Sequence, residues 1–178
     1  MRIISGTYRG KTITPPAGFN SRPTTDFAKE SLFNILANRY DFSCIHALDL
    51  FAGTGSIGIE LASRGCPHIE AVEMKAGHAA FIKKTAAELD FRQLHVVRLN
   101  VFDFLEICTA EYDLIFADPP FSMVGVETLP QRITGLNILK SGGCFVLEHA
   151  AHYDFAAVPY FTERRRYGNV HFSFFVKP

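Results

Sequence analysis

No stretch of this 178-residue chain approaches the ~18 to 20 consecutive apolar residues that a membrane span needs, and its opening, Met1 to Gly10, is polar and glycine-containing rather than a hydrophobic leader. The expectation is a cytoplasmic protein with no membrane partner. Cysteine is scarce and scattered. Cys44, Cys66, Cys108 and Cys144 show no Cys-x-x-Cys spacing, which signals neither a zinc site nor a disulfide framework and points to reduced, mostly buried thiols. The seven histidines are equally dispersed, and the one close pair, His149 and His152, has no second ligand cluster, so no metal is expected. Net charge is also lacking, since 18 Lys/Arg balance 18 Asp/Glu; by itself this argues against a bulk nucleic-acid-binding protein. Internal repeats and low-complexity segments are missing.

What is present is a chain of one-domain size, 48% hydrophobic and rich in phenylalanine with 17 residues, which suggests a well-filled core. Such a length leaves no room for a catalytic domain plus a large recognition domain. The charges are unevenly spread. Residues 1–40 carry Arg2, Arg9, Lys11, Arg22, Lys29 and Arg39 against Asp26 and Glu30, and residues 161–178 carry Arg164, Arg165, Arg166 and Lys177 against Glu163. An acidic body is thus flanked by basic arms suited to phosphates, although two ordinary solvated surfaces would give the same distribution.

From residue 45 onward short apolar runs alternate with helical stretches, the pattern of a doubly wound α/β sheet. Strands are expected at 45–50, 68–73, 94–99, 112–117 and 144–148, parallel because short crossovers join them. Helices are expected to about 64, over 76–89, 102–108 and 129–139. The tail, 161–167 and 170–176 around Gly168-Asn169, reads as a closing β-hairpin with an antiparallel last strand, making seven strands. Residues 1–40 form an N-terminal extension, with a small hairpin from 2–5 and 11–14 and a helix from Asp26 to about Asn38 capped by Thr24 or Thr25. The main body spans 41–178 as one globular unit.

Gly53-x-Gly55-x-x-Gly58 follows the first strand, and Glu73 ends the second strand twenty residues on, which formally satisfies the dinucleotide-binding fingerprint. Glycines let the backbone approach a ligand, and a strand-end carboxylate accepts from ribose hydroxyls, whether the ligand is NAD or S-adenosylmethionine. Asp49 separates the two. A pyrophosphate gains nothing from a carboxylate beside the loop, whereas a sulfonium ligand with a free ammonium does; a carboxylate that merely caps loop amides is the alternative. Asn100, just past the third strand, is placed to meet an adenine edge or to serve as an ordinary turn residue.

Asp118-Pro119-Pro120-Phe121 ends the fourth strand, where proline cannot continue the ladder. An exocyclic base amine is a poor nucleophile, because its lone pair is delocalised into the ring. The Asp118 carboxylate and the Pro119 carbonyl, held by two prolines, are suited to accept both N–H bonds and turn the lone pair toward a methyl carbon. Phe121 offers a stacking surface. Methylation of a ring carbon would need a cysteine beside this turn, and none is adjacent in sequence.

With these residues in place the chain resembles the bacterial small-subunit ribosomal RNA guanine-N2 methyltransferases, the RsmD family, over nearly its whole length. The resemblance rests on Met1-Arg-Ile-Ile-Ser-Gly-Thr-Tyr-Arg-Gly10, Arg22-Pro-Thr-Thr-Asp26, Glu30-Ser-Leu-Phe-Asn34, Asp49 to Gly58, Asp118-Pro-Pro-Phe121 and Arg166-Tyr-Gly-Asn169. It implies a Rossmann-like class I methyltransferase fold, S-adenosylmethionine as cofactor with S-adenosylhomocysteine as product, and transfer to the 2-amino group of a guanine. It places catalytic roles on Asp118, Pro119 and Phe121, and cofactor contacts on Asp49, Phe51, Gly53, Gly55, Glu73, Met74, Asn100, Val101 and Thr25. Glu73 would meet the ribose and Asn100 the adenine. Arg22, Thr24 and Thr25 would close the pocket. Asn100 stands where many relatives of this broad class carry Asp, and Phe121 lacks the hydroxyl of the common tyrosine variant. Arg2, Arg9, Lys11, Arg22 and Arg164 to Arg166 are expected to grip phosphates of small-subunit RNA, free or in an assembling particle, around a flipped base, with the enzyme acting as a monomer.

The rival readings are an adenine-N6 or protein-glutamine amino methyltransferase, mildly disfavoured by Asp rather than Asn before Pro-Pro; a non-catalytic RNA-binding assembly factor; and an oxidoreductase.

Overall fold

A computed structural model describes residues 1–19, 25–120 and 122–178. Its frame is a seven-stranded sheet of β1 (His46–Leu50), β2 (His68–Val72), β3 (Leu94–Val97), β4 (Tyr112–Ala117), β5 (Leu139–His149), β6 (Phe161–Tyr167) and β7 (Val170–Val176). The order is β3-β2-β1-β4-β5-β7-β6, with β1 to β5 parallel and β7 antiparallel to both neighbours. This is the doubly wound arrangement with a reversed last strand that the alternation of runs predicts. After β3 the chain returns to the other side of β1, so the β1/β4 boundary is the switch point at which open α/β sheets bind ligands beyond the strand ends.

Among the described residues five α-helices cover the sheet: α1 (Asp26–Ala37), α2 (Ser56–Ser63), α3 (Ala76–Glu88), α4 (Val101–Ile107) and α5 (Leu129–Gly135). Strand alternation splits the apolar residues into two cores. Ala47, Phe116, Val146 and Phe172 face α1, α2 and α3 through Leu32, Ile57 and Ile82. Leu48, Ile115, Leu147 and Phe175 face α4 and α5 through Phe104 and Ile133. Among the described residues no helix is long and apolar enough to cross a membrane.

One boundary differs from the periodicity. The helix expected to reach Leu139 stops at Gly135, and β5 starts at Leu139 rather than Cys144, with its register against β4 jumping from Tyr112↔Leu139 to Leu114↔Cys144. The cause is long-range: Gly142 N–H donates to the Lys177 carbonyl (2.9 Å) and Lys177 N–H to that of Gly143 (3.0 Å), so the far end of the chain holds a bulge open inside the strand.

The first residues form only a minimal hairpin, with one antiparallel bridge between Arg2 and Thr12. Its position is set by α2. Ile4 and Ser5 N–H donate to the two Glu60 carboxylate oxygens (2.7 and 3.0 Å), Thr7 N–H to the Ser63 carbonyl, and Tyr8 N–H to Ser63 Oγ. Gly6, at φ +83°, lies so close to α2 that a Cβ there would fall 1.8 Å from the Ser63 oxygen. Glu60 is wholly buried beside Lys29 Nζ of α1 (3.8 Å) and Arg64 Nε (2.8 Å). Lys29 Nζ also donates to the Arg2 carbonyl and Ser56 Oγ, which ties hairpin, α1 and α2 into one charged knot. Burial lowers the Lys29 pKa, with Glu60 opposing.

Candidate active site at the strand ends

A cavity of about 550 Å³ opens beyond the carboxyl ends of β1, β2, β4 and β5. One part of its lining, the expected cofactor side, is made by the turn after β1. Phe51 takes a left-handed φ of +60°, Gly53 of +57° and Gly55 of +75°. Gly55 is the residue before α2 and stands behind the loop, where a Cβ would meet Ile82 Cγ1 at 2.9 Å; its smallness lets loop and α3 pack closely. Asp49 is buried at 2% exposure and its Oδ2 accepts from Gly58 N–H at 3.0 Å. Burial nevertheless pushes its carboxyl up to about 7, with Glu73 adding in the same direction and the Gly58 amide opposing. Glu73 accepts from Gly53 N–H (2.8 Å) and Lys75 N–H (2.7 Å), and His78 Nδ1 lies 3.9 Å away.

Met74, 57% exposed, and Val101 line the same wall. Asn100 precedes α4, its Oδ1 accepting from Phe102 N–H at 2.8 Å while its amide nitrogen lies 3.7 Å from Met74 Sδ. Thr25 closes the rim and caps α1 by accepting from Ala28 N–H.

A second part of the lining comes from β4 and β5. Asp118 and Pro119 follow β4 directly and line the cavity with Phe116 and Pro120. The Asp118 carboxyl is held well above the usual carboxylate range, first by burial, then by the charges of Glu148 and Asp49. Glu148, 3% exposed, belongs to this wall, as do Asn169 and Val170 from the β6–β7 turn. Neither Glu148 nor Asn169 stands out as a site residue in the sequence. No local pattern marks Glu148, because its place beside Asp118 comes from the register of β5 on β4.

So Asp49, Phe51, Gly53, Glu73, Met74, Asn100, Val101 and Thr25 share one cavity with Asp118 and Pro119. Phe121, Arg22 and Thr24 lie outside the described residues. The basic residues are spread around the molecule. Arg2 pairs with Asp26 (3.6 Å), next to the rim residue Thr25. Arg166 Nε donates to the Gly168 carbonyl (2.9 Å), next to the rim residue Asn169. Arg164 and Arg165 share β6, the edge strand, where charge also blocks edge-to-edge pairing. Exposed Arg9 and Lys11 lie toward the Ser63 end of α2, about 12 Å along that helix from the glycine loop. Among the described residues no group of His, Cys, Asp or Glu is arranged to hold a metal ion.

Comparison with known proteins bears on this site. The model of the family described as Conserved hypothetical protein 95 matches residues 1–176. Ribosomal RNA small subunit methyltransferase D of Buchnera aphidicola (subsp. Baizongia pistaciae) is 33% identical over 148 residues, covering 83% of this chain and 75% of that protein. The protein of the same name from Escherichia coli K12 is 37% identical over 144 residues, covering 80% and 68%. The chain belongs to the small-subunit ribosomal RNA methyltransferase D family. Its whole architecture recurs among solved structures: that of a Thermus thermophilus protein superimposes with a TM-score of 0.88 at 28% identity, covering 100% of this chain and 99% of that one. Within this methyltransferase family, the N-terminal knot around Glu60 falls inside the matched region, as does the Asp118-Pro119-Pro120 turn.

Proposed function

We propose that the chain transfers a methyl group from S-adenosylmethionine to the 2-amino nitrogen of a guanine in small-subunit ribosomal RNA, in the cytoplasm. The observation that carries this reading is that Asp118 and Pro119 line one cavity with Asp49, Gly53 and Glu73. The residues fit the cofactor. Asp49 and Glu73 offer negative charge to a cation, and Glu73 can still accept from ribose hydroxyls through its remaining lone pairs. They fit a dinucleotide badly, because the Gly53 and Gly58 amides, which a phosphate would need, already donate to Glu73 and Asp49.

Bound there, S-adenosylmethionine supplies an electrophilic methyl group on a sulfonium. The protein's part is to prepare the nitrogen. Asp118 and the Pro119 carbonyl accept the two N–H bonds, which fixes the amine and turns its lone pair out of the ring system. These bonds strengthen as the nitrogen becomes cationic, so they act on the transition state more than on binding. The surplus proton then passes to Asp118, whose raised proton affinity makes it a capable base. Arg2 and Arg166, beside the rim, meet phosphates flanking the flipped base, and Arg9, Lys11, Arg164 and Arg165 engage RNA farther out.

The decisive experiment incubates the protein with labelled S-adenosylmethionine and, separately, small-subunit RNA, assembled small subunits, DNA and protein. Label on a guanine N2 of the RNA or particle is the expected result; label confined to adenine N6 or to protein would overturn the reading.

A further inference from the structure

Asp118 is not alone at its end of the cavity. β4 and β5 are parallel, and Ala117 pairs with Leu147, so the next residue on each chain, Asp118 and Glu148, stand side by side about one strand spacing apart. Alternation puts both on the face of Phe116 and Val146, toward the cavity. Glu148 is rigidly based: its backbone lies between β4 and β7, opposite Phe172. Asp118 feels its charge directly.

The hydrogen-bonding edges of the bases separate under such a pair. Beside its amino group guanine carries a second donor, N1–H. Adenine and cytosine carry a ring-nitrogen lone pair in the corresponding place. One acceptor for the amine next to a second acceptor for a ring N–H is therefore complementary to guanine and repulsive to the other two. Resting on the guanine-N2 reading above, we propose that Glu148 is the residue that selects guanine, accepting N1–H while Asp118 and the Pro119 carbonyl hold the 2-amino group. Glu148 thereby sets both the identity of the base and its rotation in the pocket.

RNA carrying 2-aminopurine at the target position tests this, because that base keeps the 2-amino group but has a lone pair at N1. Wild-type protein is expected to use it at least ~100-fold less well in kcat/KM than guanine, as sites built around a hydrogen bond reject partners lacking it. In Glu148→Gln the amide can turn its NH2 toward N1, so guanine use falls about tenfold or more and the preference collapses toward unity. The fluorescence of 2-aminopurine on insertion into the pocket gives a binding readout without turnover and is expected to strengthen in the variant. A preference due to the missing O6 would survive the substitution unchanged, and that result would overturn the proposal. So would equal use of both RNAs by the wild-type protein, an arm that requires no variant to fold. Absence of any transfer to the guanine RNA would instead bring down the N2 reading itself, and the Glu148 proposal with it.

Discussion

The two walls of the cavity are built on opposite electrostatic plans. On the cofactor side, Asp49, Glu73 and Asn100 each accept from a main-chain amide, of Gly58, of Gly53 and Lys75, and of Phe102. That wall is preorganised before any ligand arrives. On the acceptor side, burial and the charge of Glu148, with Asp49 of the first wall adding to it, hold the Asp118 carboxyl well above the usual carboxylate range. Asp49 and Glu73 shape a loop, whereas on the proposed reading Asp118 and Glu148 stand where N–H donors and a departing proton arrive. On the proposed reading, a mould for a cation and a clamp for an amine share one cavity, the first set by main-chain hydrogen bonds and the second by neighbouring charge.

The contrast can be broken most severely at the clamp. Asp118→Ala should lower kcat by at least ~10³-fold while leaving cofactor affinity within a few-fold, measured by single-turnover transfer and calorimetry. A comparable loss in cofactor affinity would mean that the walls are not separable.

Next in size, Glu60→Gln strips the charge partner from buried Lys29 under the glycine loop and should cost about 3 kcal/mol of stability, read from denaturant midpoints. An effect under ~1 kcal/mol would show that the knot does not support the mould.

Asp49 gives a pH test of the mould. A cationic ligand needs its ionised form, so cofactor affinity should rise with pH through about 7, and Asp49→Asn should flatten that rise and weaken binding about tenfold or more. The same raised pKa works the other way on stability. Between the ordinary carboxylate range and about 7 the folded state binds the extra proton, so the ligand-free protein should lose stability as pH climbs through that window, and the Asn variant should lose less.

The smallest effects lie outside the cavity. Charge reversal at Arg166 should raise the RNA Michaelis constant more than reversal at Arg9 and Lys11, which sit toward the far end of α2, with cofactor affinity unchanged in both. Equal effects would extend the RNA track down the side of the molecule.

Much of this is legible in residue order. The run Tyr112–Ala117 and the hairpin strands Phe161–Tyr167 and Val170–Val176 coincide with their expected bounds, because Pro119 and the Gly168-Asn169 turn punctuate the chain there. The glycine loop and the Asp-Pro-Pro turn are legible for the same reason: each is a local backbone constraint. Glu148 is not, because its meaning depends on β4 and β5 lying in register, a pairing between residues some thirty positions apart. The early start of β5 is hidden likewise, since it depends on Lys177.

Sequence alone thus determined the order of strands and helices, the glycine-lined turn and the carboxylate that ends β4, all of which follow from period, propensity and the restricted dihedrals of glycine and proline. Only the tertiary structure decided that Glu148 stands beside Asp118, that Glu60, Lys29 and the N-terminal hairpin close into one buried knot, and that Arg166 rather than Arg9 reaches the turn whose Asn169 lines the cavity. Those are distances between segments remote along the chain, set by how two cores pack against one sheet, and no local pattern encodes them.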